Sequence, residues 1–222
     1  MDKTDPYRNI ARFFPAFDRF MGLFMPRIRA DLVRFLRREK LSRVLDLGCG
    51  AGGLSRDLAE RGFSPVCLDV SEAMLREAEK TSRRTPGFPV IRFDGKVLPF
   101  SQEFDASVMR FVLHEMDLPV RESILAELLR VVRPGGYLIF IDFISPADTG
   151  CEQGLRGRLG ASAIRFIESR MVRIHAPHYE NFLHLMRAGG TLGFLKKGGR
   201  AQLAHSYFWG NIGFVILQRP AA

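Results

Sequence analysis

The stretch that decides the fold of this chain reads Val44-Leu45-Asp46-Leu47-Gly48-Cys49-Gly50-Ala51-Gly52-Gly53. A short apolar run, interrupted by one acid, leads directly into closely spaced glycines, and residues 54–61 then have the apolar spacing of a helix. This order predicts a buried strand that turns sharply into a helix. Because glycine has no Cβ, the backbone of such a turn can approach a ligand closely. We therefore expect a ligand-binding loop directly after the first strand.

The charge beside this loop limits which ligand it can hold. Gly48, Gly50 and Gly53 satisfy G-x-G-x-x-G, the pattern of dinucleotide-binding loops. However, Asp46 comes just before the first glycine, and its carboxylate would repel a doubly negative pyrophosphate at the helix N-terminus. A dinucleotide-dependent dehydrogenase is thus an alternative that Asp46 disfavours. The acid favours a positively charged ligand without phosphate.

Two further acids follow the next two predicted strands. Asp69 ends the second strand about twenty residues after the loop, where a ribose diol would find a carboxylate acceptor. Asp94 ends the third strand, where it could accept a hydrogen bond from an adenine amino group. Three acids at successive strand ends would suit a cationic adenosyl ligand.

From residue 42 onward, short β-branched or apolar runs alternate with helical patterns, which is typical of βαβ units and a parallel sheet. Helices are predicted at residues 71–80, with Ser71 as the N-cap, and at residues 121–132, ended by Pro134-Gly135-Gly136. Two late strands with a short connection predict an antiparallel hairpin. The predicted strands are residues 43–47, 65–69, 90–93, 104–109, 137–143, 201–208 and 212–218.

Composition restricts the class of protein less than the motifs do. A formal net charge of +9 would suit an anionic partner, either nucleic acid or an acidic membrane surface. Cys49, Cys67 and Cys151 are an odd number without metal-ligand spacing, so they indicate neither a disulfide framework nor a zinc site. No apolar run approaches the ~20 residues of a membrane span. We expect a cytoplasmic protein, with membrane association as an open alternative.

The motifs together resemble those of class I S-adenosylmethionine-dependent methyltransferases. Residues 44–54 look like the first motif of that class. Asp69-Val70-Ser71, Asp94-Gly95 and Arg133-Pro134-Gly135-Gly136 fall where the class has its later motifs. The resemblance covers roughly residues 42–143. It implies an α/β fold with a Rossmann-like, doubly wound sheet of seven strands, mostly parallel, with one antiparallel strand in the C-terminal hairpin.

The same resemblance implies the cofactor, S-adenosyl-L-methionine, and its product, S-adenosyl-L-homocysteine. Asp46, Gly48 and Gly50 would line the methionine end, Asp69 the ribose, and Asp94 with Gly95 the adenine. No metal is expected. The predicted cofactor-binding residues are Asp46, Gly48, Cys49, Gly50, Asp69, Val70, Met74, Asp94, Gly95 and Arg110.

The segment after the fourth strand is expected to face the transferred methyl group. Methyl transfer is an in-line displacement, so the protein mainly has to align the acceptor and, for a hydroxyl or acidic carbon, remove a proton. His114 is the candidate base, because the ordinary pKa of histidine lies near 6.5. Glu115 and Asp117 are candidates to orient it. The alternative is that His114 only caps or packs the following helix.

Within the superfamily, residues 140–146 and the aromatic segment around Phe17-Asp18 resemble the ubiquinone/menaquinone biosynthesis C-methyltransferases. That group acts on prenylated quinol precursors. The chain departs from it at His114-Glu115, where the group tends to have Arg-Asn. The predicted reaction is methyl transfer to a small aromatic, quinol or lipid-like acceptor.

Three other functions stay open. A phospholipid N-methyltransferase would use the same basic surface. A nucleic-acid methyltransferase or binder has only the positive charge in its favour, because neither an Asn/Asp-Pro-Pro-Tyr/Phe motif nor a Pro-Cys nucleophile occurs. A module that keeps the cofactor as an allosteric ligand without catalysis is the third.

The segments flanking the core alternate arginine with aromatic or aliphatic residues. Residues 10–36, divided by Pro26, could lie on an anionic membrane, form a lid, or make ordinary helices packed on the sheet. We predict one domain over residues 1–222. It would comprise a helical lid at 1–41, the cofactor-binding core at 42–149, a helical insertion at 150–190, and a C-terminal helix and hairpin at 191–222.

Overall fold

The computed structural model describes residues 5–16, 26–83, 87–145, 154–171, 177–196 and 201–221. Within them, seven strands form one sheet. The strands are β1 (Arg43–Leu47), β2 (Ser64–Asp69), β3 (Val90–Arg92), β4 (Phe104–Arg110), β5 (Val132–Phe143), β6 (Ala201–Tyr207) and β7 (Ile212–Gln218).

The helices lie between and around these strands, and two 3-10 turns, Ala11–Phe13 and Leu113–Glu115, accompany them. Ser71 caps its helix as predicted, since its Oγ accepts a hydrogen bond from the Met74 amide at 3.1 Å. The helices are α1 (Pro26–Arg38), α2 (Gly53–Ala59), α3 (Glu72–Ser82), α4 (Leu118–Val131), α5 (Leu155–Met171), α6 (His178–Arg187) and α7 (Gly190–Lys196).

The sheet has the strand order β3-β2-β1-β4-β5-β7-β6. Strands β1 to β5 pair in parallel, whereas β7 runs antiparallel to both β5 and β6. Thus β7 is the one strand that runs against the others. The expected α/β, Rossmann-like sheet of seven strands is confirmed, including its C-terminal hairpin.

Helices cover both faces of this sheet, because successive residues of the central strands point to opposite sides. Val44 packs in one buried cluster with Leu32 of α1 and Leu58 of α2. Its neighbour Leu45 packs in the other cluster with Leu128 of α4. All five side chains are 0% exposed. Because helices pack on both faces of the sheet, the sequence of β1 is a nearly continuous apolar run.

Helix α1 covers the second half of the N-terminal arginine-rich pattern, from Pro26 onward. Its residues Ile28, Leu32 and Leu36 are buried in the cluster that faces β1 and β4. It is therefore an ordinary helix packed on the sheet. The aromatic positions of residues 17–25 lie outside the described residues.

The junction of α4 and β5 differs from the prediction. The strand begins at Val132, directly after the helix, and includes Pro134-Gly135-Gly136. A Cβ on Gly136 would lie 2.6 Å from the carbonyl oxygen of Asp105, so this glycine allows a close approach of two strand backbones. The pairing register shifts at the same place, between Phe104 and Ala106. Pro134-Gly135-Gly136, which was expected to end the helix, thus forms the irregular first part of β5.

Arg121, at 0% exposure, joins α4 to the Leu113–Glu115 turn and to α6. Its Nε donates to the Leu113 carbonyl at 2.9 Å, and one terminal nitrogen donates to the Asn181 carbonyl at 2.6 Å. The other terminal nitrogen lies 3.4 Å from the His184 ring. Burial lowers the pKa of this guanidinium, partly offset by the charges of Asp142 and Asp117. Arg121 fixes the turn that carries His114.

We expect Arg121→Ala to lower the free energy of unfolding by about 2–4 kcal/mol, because two buried carbonyl oxygens lose their donor and a cavity forms. Urea denaturation followed by circular dichroism measures the change. Arg76→Ala is the control, since it removes an arginine that pairs on the surface with Glu72. A midpoint for Arg121→Ala equal to that of Arg76→Ala would contradict this role.

Candidate active site at the carboxyl edge of the sheet

The glycine loop after β1 has the backbone that only glycine adopts easily. Gly48, Gly50 and Gly52 have φ values of +73°, +54° and +76°. A Cβ on Gly48 would lie 2.4 Å from a methyl carbon of Val112, so this residue also lets the loop touch the segment after β4. A Cβ on Gly50 would meet nothing within 4 Å. The loop backbone therefore borders open space at Gly50.

Two of the predicted acids hold this loop in place. The Asp69 carboxylate accepts hydrogen bonds from the Gly50 and Ser71 amides, each at 2.9 Å. Burial raises its pKa, and these amides oppose the rise. Asp46 is 2% exposed at the end of β1 and accepts a hydrogen bond from Ser55 Oγ of α2 at 2.7 Å. Both carboxylates lie at the carboxyl ends of neighbouring strands, since β1 and β2 pair in parallel.

The other predicted cofactor residues lie along the same edge. Val70 is 52% exposed, and a Cβ on Gly95 would lie 3.8 Å from its Cγ1. Asp94 is exposed and accepts a hydrogen bond from the Lys96 amide at 2.9 Å, which is the main reason its pKa is lowered. These positions can form one wall of an adenosine site.

Three other predicted cofactor residues are less exposed than Val70 and Asp94. Cys49 and Met74 are buried, at 7% and 2% exposure, below the loop and in α3. Burial raises the pKa of the Cys49 thiol, and the neighbouring Cys67 adds to the rise. Arg110 ends β4 and is half-buried. The structure thus brings the predicted set to one edge of the sheet.

His114 lies beside this edge in a buried histidine–carboxylate cluster, which we define as His114, Glu115, Asp142, Glu168 and His178. His114 Nδ1 lies 2.8 Å from Asp142 Oδ1, and His114 Nε2 lies 3.6 Å from Glu168 Oε2. His178 Nε2 lies 2.5 Å from the same oxygen of Glu168. His114, Asp142, Glu168 and His178 are all less than 9% exposed.

The surrounding carboxylates favour positive charge on His114. Burial by itself lowers the pKa of the ring, but the charge and hydrogen bond of Asp142 oppose this effect. The charges of Glu168 and Glu115 add to the rise, and the pKa reaches about 9. Burial also raises the pKa of Glu115, against the influence of His114, Tyr7 and His178.

The expected partners of His114 are corrected by these contacts. Asp117 instead caps α4, where its Oδ1 accepts a hydrogen bond from the Val120 amide at 2.9 Å. Glu115 accepts a hydrogen bond from the Tyr7 hydroxyl and lies 3.8 Å from His178 Nδ1. Asp142 orients the ring, because the end of β5 lies next to the end of β4 in the sheet.

Sequence reasoning did not assign Asp142, Glu168, His178 or Tyr7 to the site. Asp142 carried a signal, since it is an acid within an otherwise apolar strand, Tyr137–Phe143. Glu168 and His178 carried none, because they belong to α5 and α6, whose position against the sheet is not visible in a local pattern. Tyr7 is likewise brought in only by the fold.

The N-terminal segment crosses the same edge. Asp5 Oδ2 accepts hydrogen bonds from Ser71 Oγ at 2.9 Å and from the Ala73 amide at 3.0 Å. Two residues on, the Tyr7 hydroxyl reaches Glu115, and its pKa is raised by burial and by that carboxylate. Residues 5–7 therefore link the cofactor side of the edge to the histidine–carboxylate cluster.

We expect Asp142→Asn to lower the pKa of His114 from about 9 toward 6.5, because the ring loses its nearest negative charge. Titration of the ring by NMR measures this shift. Asp117→Asn is the matched control, since it neutralises an exposed acid of the same segment and should leave the pKa of His114 in place. An unchanged pKa in Asp142→Asn would show that another group governs the ring.

Comparisons with known proteins agree with this geometry. A family model described as a methyltransferase domain matches residues 44–136. A demethylmenaquinone methyltransferase of Beutenbergia cavernae is 34% identical over 147 residues, which cover 65% of this chain and 59% of that relative. A malonyl-[acyl-carrier protein] O-methyltransferase of Enterobacter lignolyticus is 34% identical over 110 residues, covering 49% of this chain and 42% of that relative. The chain thus spans about half the length of these relatives.

A solved structure from Methanococcus maripaludis, described as a candidate S-adenosylmethionine-dependent methyltransferase, shares the fold. Its TM-score is 0.63 at 18% identity, with 100% of this chain and 97% of that chain covered. Among the described residues, no helix is both long and apolar enough to cross a membrane.

The fold, the glycine loop and the matched domain model make this chain similar to class I S-adenosylmethionine-dependent methyltransferases. Its sequence is also similar to a second demethylmenaquinone methyltransferase, from Renibacterium salmoninarum, at 39% identity over 105 residues, which cover 47% of this chain and 42% of that relative. The cofactor of those methyltransferases is S-adenosyl-L-methionine, and the residues present fit it. The acid Asp46 stands behind a loop whose backbone faces open space at Gly50, so positive charge rather than phosphate is favoured there.

Proposed function

We propose that the protein transfers a methyl group from S-adenosyl-L-methionine to an ionisable oxygen or acidic carbon of a small quinol-like acceptor. The observation that carries the proposal is the buried histidine–carboxylate cluster beside the glycine loop. An acceptor of this kind must lose a proton to become a good nucleophile, and the cluster gathers groups that take protons or stabilise negative charge. The name of the relative from Beutenbergia cavernae supports a quinol-type acceptor.

The glycine loop and its acids are the proposed cofactor site. The loop backbone at Gly48 and Gly50 would face the methionine end, with Asp46 favouring its positive charge. Asp69 has two oxygens, both engaged by amides, and each keeps capacity to accept a ribose hydroxyl. Asp94 with Gly95 would border the adenine. The bound cofactor supplies an activated methyl group, so the chain has to align and ionise the acceptor.

His114 keeps its proposed catalytic role as the group of the Leu113–Glu115 turn that acts on the acceptor. Its ring is held by Asp142 on one side, so Nε2 is the nitrogen that faces Glu168 and the interior of the cluster. His114 and Asp142 form the kind of pair in which a buried carboxylate fixes the orientation of a functional imidazole.

Aromatic side chains around this ring support an aromatic acceptor. The ring of Phe143 lies 4.8 Å from that of His114 and 5.3 Å from that of Phe182, centroid to centroid. Tyr179 stacks on Phe182 at 6.0 Å. Such surroundings favour a flat, largely apolar molecule with one ionisable group.

A lipid-like acceptor and peripheral contact with an anionic membrane are supported by α5. Leu155 and Leu159 are 74% and 57% exposed, and Phe166 is 60% exposed. Arginines at positions 156, 158, 165 and 170 lie on the same helix. An exposed mixture of this kind suits an anionic lipid surface, and it could bring a membrane-dissolved acceptor close.

We expect Asp69→Ala to weaken S-adenosylhomocysteine binding by about 1.5–3 kcal/mol for each charge-assisted hydrogen bond lost to ribose. Calorimetric titration of the full chain measures the affinity. Asp105→Ala is a closely matched control, because Asp105 accepts hydrogen bonds from the Ser42 and Arg43 amides at 2.8 and 2.9 Å at the opposite edge of the same sheet.

The affinity of Asp105→Ala should equal that of the unmodified chain. Equal affinities for all three proteins would remove Asp69 from the cofactor site. Binding of NAD instead of S-adenosylhomocysteine would overturn the assignment of the loop.

We expect turnover on a short-chain demethylmenaquinol in the unmodified chain, and a loss of at least about 100-fold in His114→Ala. Cofactor affinity should change little, since His114 acts on the acceptor. Methyl transfer is followed as S-adenosylhomocysteine release. His205→Ala, which removes an exposed histidine of β6, should retain full turnover.

Transfer to the amine of phosphatidylethanolamine vesicles, with none to the quinol, would contradict the quinol-like acceptor. Full turnover in His114→Ala would make this histidine a structural residue.

A further inference from the structure

The two buried histidines of the cluster both lie between Glu168 and a second carboxylate. Each presents Nε2 to the same oxygen of Glu168, at 3.6 Å for His114 and 2.5 Å for His178. Asp142 lies at hydrogen-bond distance from His114 Nδ1, at 2.8 Å, whereas Glu115 lies 3.8 Å from His178 Nδ1, beyond that distance. A carboxylate behind one ring nitrogen, with the other nitrogen free to coordinate, is the usual arrangement of metal-binding histidines.

The carboxylates are themselves held. Glu115 accepts a hydrogen bond from the Tyr7 hydroxyl, and its backbone carbonyl accepts one from Asn181 Nδ2 at 2.7 Å. Asp142 Oδ1 also accepts from the Phe143 amide at 2.8 Å. Glu115 and Asp142 are therefore each held in place by groups outside the two rings.

The contacts within the cluster leave it incomplete. His178 is 1% exposed, yet its Nδ1 has no hydrogen-bond partner within 3.5 Å among the described residues. Glu168, also buried, faces only the two imidazoles in the contacts that the structure describes. A buried carboxylate and two imidazoles that share one point suit a cation at that point.

We propose that His114, Glu168 and His178 bind one divalent transition-metal ion. Two imidazoles and one carboxylate suit Zn²⁺, Mn²⁺ or Fe²⁺, and three protein ligands leave positions for a further oxygen. The candidate ligand atoms lie within 4.8 Å of one another. Tetrahedral ligands at 2.0–2.1 Å from the metal stand about 3.3 Å apart, so side-chain movements of about 1–1.5 Å would complete the site.

The open position would take the ionisable oxygen of the acceptor, an assignment that rests on the proposed function. A metal-bound hydroxyl ionises more easily, because the cation stabilises the oxygen anion. His114 and His178 would then act as ligands, and the proton of the metal-bound hydroxyl would pass to water rather than to His114. Asp142 and Glu115 are positioning residues behind them.

The test titrates the full chain, freed of metal by chelator and dialysis, with Zn²⁺ and Mn²⁺ separately by calorimetry, and measures bound metal by elemental analysis. We expect one ion per chain, and a loss of at least tenfold in affinity in His178→Gln and in Glu168→Gln. His205→Ala should bind as the unmodified chain does. Glu168→Gln preserves the shape of the side chain, and thermal unfolding of each variant verifies its fold.

Absence of stoichiometric binding of both ions, or equal affinity in the folded Glu168→Gln variant, would overturn the metal site. The two proposals fail separately. One bound ion with no turnover on the quinol would retain the metal site and remove the proposed function. Undiminished turnover in the presence of chelator, with no ion bound, would retain the function and remove the site.

Discussion

The position of β1 between β2 and β4 is the constraint on which the rest of the structure depends. The chain leaves β1 toward β2 and β3 on one side and then returns to β4 on the other. The carboxyl ends of β1 and β4 therefore border a crevice, which is where ligands bind in open parallel sheets. The glycine loop and the Leu113–Glu115 turn both start from this crevice. The glycine loop and the segment after β4 approach each other at Gly48 and Val112. This approach joins the proposed cofactor site to the proposed acceptor site.

Buried carboxylates and one buried guanidinium then fix the loops at this edge. Asp69 joins the glycine loop to the start of α3 through two amides. Asp142 and Arg121 hold the turn that carries His114 from two directions. These buried groups have hydrogen-bond partners, which offset the free-energy cost of removing them from water. Because hydrogen bonds are directional, they also hold the loops at this edge in a defined arrangement. Ligand groups can then meet a site that is already arranged.

The two halves of the site differ in how far the sequence could predict them. The proposed cofactor half was predicted from neighbours in sequence, because a strand, a tight turn and a helix start occupy one continuous segment. The sequence placed His114 at this edge, but its expected partners were chosen from adjacent positions. Glu115 and Asp117 point elsewhere because successive residues of a tight turn face different directions, whereas Asp142 is brought close by pairing of β4 with β5.

The sequence by itself determined the alternation of strands and helices, the glycine-rich loop with its positive φ values and the acid beside it, which favours a cationic ligand. These properties follow from short-range rules, namely side-chain periodicity, the missing Cβ of glycine and the charge of Asp46. Only the tertiary structure decided that Asp142, Glu168, His178 and Tyr7 surround His114. Their side chains meet through strand pairing and through the packing of α5 and α6. Those contacts join residues far apart in the chain, so no local pattern can record them.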